Sequence, residues 1–161
     1  MASADFFLKL DDIKGESQDK KYKDYIDVLA WSWGISNSGS FHIGGGGGVG
    51  KASFGDIAIT KYLDASSPIL MKYVATGDHF AKGTLICRKP GGKKLDYMKI
   101  ELENVLITSI SDGGSGGEAL LTESITLNFQ AFDVAYKEQK KDGSGSAAIT
   151  FDWNIAKNTS G

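Results

Sequence analysis

Apolar and polar residues alternate with period two through most of this chain, and that period belongs to strands. Toward the C-terminus Ala147, Ile149, Phe151, Trp153 and Ile155 share one face, while Ala148, Thr150, Asp152 and Asn154 share the other. The pattern predicts a half-buried antiparallel strand with its apolar side on the core. Between Glu123 and Lys137, Ile125, Leu127, Phe129 and Ala131 lie on one face. The apolar set then switches to Phe132, Val134 and Tyr136. A slip of one residue inside an otherwise regular strand predicts a bulge or a bend, as a barrel corner requires. Met98, Ile100, Leu102, Leu106 and Ile110 form another apolar face, opposite Lys99, Glu101 and Glu103. Shorter strands are expected over Asp5–Leu10, Phe54–Thr60 and Gly83–Lys89. Clusters at Asp112–Gly117, Pro90–Lys93 and Asp142–Ser146 read as the turns between strands.

One segment breaks the alternation. Ser67 as N-cap, Pro68 at the first helical position and Gly77 just past the end frame a short helix. Ile69, Leu70, Tyr73 and Val74 supply its apolar stripe. A lone helix among strands plugs the open end of a barrel or packs on its side. Residues 1–161 therefore read as one all-β domain, a barrel or sandwich of antiparallel strands with one helix, long enough to bury a core.

Charge excludes some partners. The 18 basic and 20 acidic side chains leave a net charge of -2, which gives no electrostatic reason to expect nucleic acid or an anionic membrane. Cys87 is the single cysteine, so no intrachain disulfide forms and the chain needs no oxidising compartment. The opening MASADFFLKLDD lacks the basic and apolar regions of a secretory signal. No stretch approaches the roughly 20 apolar residues of a spanning helix.

The motifs that could carry chemistry fail on context. Gly45 to Lys51 fits G-x-x-x-x-G-K, but Ala52 stands where a P-loop needs Ser or Thr for Mg²⁺. The following SFGDIAIT reads as a strand, whereas phosphates need a helix N-terminus. With five consecutive glycines, Gly44 to Gly48, such matches arise by chance. The plain reading is a flexible connection, and the sharper one is a loop that orders only against a partner. His42 and His79 lack the companions of a metal site. Neither a G-x-S-x-G elbow nor an S-x-x-K signature occurs. The carboxylate pairs Asp11-Asp12 and Glu101/Glu103 read as solvated, and Cys87 as inert packing. No catalytic constellation, cofactor or metal is expected.

Surface physics remains. Trp31 and Trp33 point to one side of their strand, toward a core or an interface. Ser32, with Ala30 and Val28, looks the other way. In an isolated barrel that opposite face meets water; in a closed ring it lines a central opening.

Eight segments, in order, resemble the haemolysin-coregulated protein (Hcp) family, the tube protein of bacterial type VI secretion. They are FLKLDDIKGES (Phe7–Ser17), IDVLAWSWG (Ile26–Gly34), HIGGGGGVGK (His42–Lys51), ITKYLDASSP (Ile59–Pro68), RKPGG (Arg88–Gly92), SDGGSGGE (Ser111–Glu118), LTESITLNF (Leu121–Phe129) and FDWNIAKN (Phe151–Asn158). The glycine-rich segment and IDVLAWSWG are the most specific. Tyr22 and Pro90 depart slightly from the family pattern.

The resemblance implies a β-barrel with one lateral helix and a structural, non-enzymatic role. It implies homohexameric rings stacked into a tube, within a contractile sheath and beneath a VgrG-type spike. Small secreted effectors would ride in the lumen. Assembly would occur in the bacterial cytoplasm and export would follow without a signal peptide or membrane insertion. A phage-like tail tube protein is the neighbouring alternative, and a β-sandwich ligand-binding module a more distant one. On this sequence the ring-stacking loop would run from Ser36 to Lys51, including Ser40, His42, Gly44, Gly45, Gly46, Gly47, Gly48 and Gly50. Val28, Ala30 and Ser32 would face the lumen.

Overall fold

A computed structural model describes residues 4–39, 41 and 51–161. Its strands are β1 (Asp5–Leu10), β2 (Ile26–Val28), β3 (Ala30–Ser32), β4 (Ile35–Ser36), β5 (Ser53–Phe54), β6 (Ile57–Tyr62), β7 (Phe80–Arg88), β8 (Asp96–Gly113), β9 (Thr122–Tyr136) and β10 (Ile149–Asn154). One helix, α1 (Ser67–Thr76), separates β6 from β7. Eight strands form one antiparallel sheet in the order β2-β1-β7-β8-β9-β6-β3, with β10 added on β9. Only Leu29 separates β2 from β3 in sequence, yet they stand at opposite ends of that order. The segment 26–32 therefore bridges the two margins of the sheet. Its first half pairs with β1 and its second with β6, and Leu29 N donates to Thr60 O between them (2.8 Å). This crossing nearly closes the sheet into a barrel. The alternating apolar residues of β1, β6, β8 and β9 fill it.

The phase slip expected at Ala131 and Phe132 is a bend, and both strands of the β8–β9 pair take part. Leu102 lies opposite Phe132 and Val105 opposite Phe129, all four buried. The core face of each strand thus switches at the same rung. Asn104 makes the switch in β8 with a left-handed φ of 51°, and its Nδ2 donates to Gln130 Oε1 (2.6 Å). Asparagine tolerates that backbone region far better than a branched residue. The bend corrects one expected face: beyond it Val105 and Ile107, not Leu106, reach the core.

The expected Phe54–Thr60 strand is split. Ser53–Phe54 pairs with β4 in a separate ribbon, and Ile57–Tyr62 joins the barrel. The helix is capped by Ser66, not by Ser67. The Ser67 hydroxyl is committed elsewhere, between buried Lys61 and Glu123. Gly77 ends α1 at φ 74°, its N–H returning to Tyr73 O. The helix packs beside β8, with Leu70 in the core and Tyr73 stacked on Phe80 at 4.2 Å.

The segment between β1 and β2 folds back against the sheet. Gly15 N donates to Asp24 O, and a Cβ on Gly15 would stand 2.6 Å from both Tyr25 O and Ile26 Cα. Only glycine permits that approach.

Candidate assembly surface

Arg88, at the end of β7, anchors the folded-back segment. Its guanidinium donates to both carboxylate oxygens of Asp19 (3.0 and 2.7 Å) and to Asp5 (2.9 Å). It lies over the rings of Phe7 and Tyr22, at 4.9 and 5.8 Å. The Arg88 hydrogen bonds hold Asp19 well below the ordinary carboxylate range. Tyr22 donates its hydroxyl to Asp96 at the start of β8. Together these contacts tie the folded-back segment to β1, β7 and β8.

A second polar cluster sits at the far ends of β6 and β9. Lys61 Nζ meets Glu123 Oε1 at 2.7 Å and Asp64 Oδ1 at 3.1 Å. The Lys61 and Glu123 side chains have no solvent exposure at all. Sequence alternation missed this pair, because it assigns every polar residue of a strand to the outside.

The glycine-rich segment joins the two strands of the β4–β5 ribbon. Ile35 pairs with Phe54 and Ser36 with Ser53. Trp33 Nε1 donates to Gly55 O (2.9 Å), and Gly55 N to Gly34 O (3.0 Å). Phe54 packs on Phe132 inside the barrel. The ribbon is thus a fixed base. Of the expected stacking residues, Ser36 ends the ribbon and Lys51 is exposed. Ser40, His42, Gly44, Gly45, Gly46, Gly47, Gly48 and Gly50 lie outside the described residues. Phe41, in the same stretch of sequence, is 91% exposed.

Trp31 and Trp33 turn into the barrel, where Trp33 meets Phe129 and Phe132 edge-on. Ala30 and Ser32 are exposed on the other side. Val28 departs from the expected set of three. It belongs to β2, across the Leu29 crossing, and is buried in the core at 8% exposure. An open face cannot include it.

The C-terminal strand departs from expectation as well. Trp153 packs against the core, but Ile149 is 75% and Phe151 49% exposed. They continue the apolar face of the sheet beyond the barrel, beside exposed Tyr136. Among the described residues the only strand paired with β10 is β9; the returning tail bridges its last residue, Asn154, to Thr159, and the outer edge before that bridge has no strand beside it. The opposite face carries Glu101, Asp133 and Asp152 side by side on β8, β9 and β10. Burial, then its two acidic neighbours, raise the Asp133 carboxyl above its ordinary range.

Candidate chemistry is sparse. Burial pushes the Cys87 thiol up to about 11, away from reactivity. Among the described residues no group of three or more His, Cys, Asp or Glu could hold a metal ion. No helix among them is long and apolar enough to cross a membrane. Asp11 accepts from Ala81 N and Lys82 N, bracing the start of β7.

Comparison with known proteins gives one answer. Residues 7–136 match the family described as type VI secretion system effector, Hcp. Protein hcp1 of Pseudomonas aeruginosa is 49% identical over 158 residues, spanning 97% of this chain and 98% of that protein. A solved type six secretion system protein superposes with a TM-score of 0.93 at 28% identity, over 98% of this chain and 99% of the other. Hcp1 from Salmonella typhimurium superposes at 0.79 with 34% identity, covering 98% of both chains.

Proposed function

The chain belongs to the Hcp family of the type VI secretion system, and on that premise we propose that it builds the inner tube. Six copies close into a ring, and rings stack into a hollow cylinder that a contractile sheath drives outward beneath a VgrG-type spike. The protein acts by shape and self-association, without catalysis. It leaves the cytoplasm inside this machine.

The observation that carries the reading is the C-terminal edge. An open strand edge with Ile149 and Phe151 exposed beside it is a liability in a lone barrel. A neighbouring copy would cover it, and a heterologous contact repeated with the right rotation closes a ring. The small side chains of Ala30 and Ser32 would then line the opening, where folded effectors need clearance. The loop from Ser36 to Lys51, on its rigid ribbon, would reach the adjoining ring.

Native mass spectrometry of the purified protein at micromolar concentration tests this. The expected species is a hexamer, with Phe151→Asp shifting it to a folded monomer of unchanged circular dichroism. Monomer alone in the unsubstituted protein overturns the proposal.

A further inference from the structure

Lys61 of β6, Glu123 of β9 and Asp112 of β8 stand side by side on one rung, just before the β8–β9 hairpin loop. Asp64, in the turn leading to α1, adds a third carboxylate. One ammonium is therefore paired with two acids, Glu123 and Asp64, with the third carboxylate, Asp112, beside Glu123 on the rung. The first oxygen of Glu123 is fully served: Oε1 takes Lys61 Nζ at 2.7 Å and the Ser67 hydroxyl at 3.0 Å. Its second oxygen is not. Glu123 Oε2 is buried and meets no hydrogen-bond donor among the described residues. On the β8 side its cross-strand partner is Asp112, whose carboxyl raises that of Glu123. Two ionised carboxylates side by side repel, so the buried one holds a proton more readily.

We propose that Glu123 holds a proton on its second oxygen, and that this proton is a pH-operated latch on the base of the β8–β9 hairpin. In the latched form the Glu123 O–H donates to a carboxylate oxygen of Asp112, tying β8 to β9 one rung before the strands end. As pH rises, solvent base removes the proton and both carboxylates carry charge. Lys61 balances only one of the acids around it. Asp112, already on the exposed side, then turns to water and the tie is lost. The burial of Glu123 and its Asp112 neighbour raise its carboxyl above the ordinary range, while Lys61 and Ser67 pull the other way. A raised carboxylate contributes stability fully below its unfolded value, and loses it as pH climbs through the folded one. Acid therefore firms the hairpin and alkali loosens it. The chain two positions beyond is the first to respond, where Leu63 N donates to Leu121 O at 3.0 Å and Leu120 and Leu121 lie exposed near Tyr62. The latch belongs to the folded chain itself and does not depend on the tube reading.

Hydrogen exchange of the intact protein, followed by mass spectrometry on peptides spanning 112–123 and corrected for intrinsic rates, tests this between pH 5 and pH 8. The unsubstituted hairpin is expected to lose protection with rising pH, by about tenfold per unit above the titration point. Asp112→Asn places an amide donor where the proton sat. Because Asp112 is exposed the variant should fold, and its protection should stay flat and exceed the unsubstituted level at pH 8. Asp112→Ala should be weakly protected at every pH. A pH step in Asp112→Asn equal to the original, or no step in the unsubstituted protein, overturns the latch.

Discussion

At the residue scale, Arg88 does more for this fold than its place in a short turn motif suggests. Its side chain is 5% exposed, joined to Asp19 and Asp5 and covered by two aromatic rings. Arg88→Met keeps much of the volume but strands Asp19, whose own side chain is only 16% exposed. Removing one partner of a buried pair costs about 3 kcal/mol, and the open position of Asp5 lowers its share of that. Urea unfolding at pH 7 should show the loss. Its pH course has a definite sign. Asp19 is held below its ordinary value, so the pair stabilises above about pH 4 and fades as pH falls toward the depressed value. The gap between Arg88→Met and the unsubstituted protein should hold from pH 7 to pH 5 and narrow below pH 4. A gap independent of pH would assign the effect to ring packing instead.

At the scale of elements, alternation made the strands legible but not their company. The Asp5–Leu10 strand and the buried set Ile125, Leu127, Phe129 and Ala131 follow directly from period two, because one face of each meets an apolar interior. The pattern at 147–155 has the same form, yet Ile149 and Phe151 are exposed. Period records which side is apolar and says nothing of what covers it. Nor does it report register, so the buried Lys61–Glu123 rung and the Leu29 crossing that buries Val28 were out of reach. The slip at Ala131 and Phe132 was visible, but its cause lies on the partner strand at Asn104. That gives the bend a test. Asn104→Gly should keep stability within about 0.5 kcal/mol, since glycine accepts a positive φ. Asn104→Val should cost about 1–2 kcal/mol from left-handed strain, read from thermal unfolding. Equal losses for both variants would place the role of Asn104 in its hydrogen bond to Gln130.

At the scale of the whole molecule, the proposed tube divides its tasks between surfaces that do not overlap. The exposed β10 edge lies on a different strand pair from the β4–β5 ribbon, and Ala30 and Ser32 lie on a third site. Each can then be changed without the others. Ser32→Gln fills the lumen side and should weaken effector retention while hexamers persist in native mass spectra; unchanged retention would remove Ser32 from the lumen. The glycine run makes the sharper case. A ribbon pinned by Trp33 and Phe54 fixes where the loop leaves the barrel, so its length and backbone freedom alone decide what it can reach. Removing Gly44 to Gly48 shortens the segment and leaves every residue of β10 and of the buried core in place. Rings should therefore form at normal yield, with circular dichroism and melting temperature unchanged, while tubes seen by electron microscopy and protein exported to the medium both fall. If the shortened protein stacks and is secreted normally, rings must join through barrel ends, and the exposed Leu120 and Leu121 of the hairpin become the surface to substitute next.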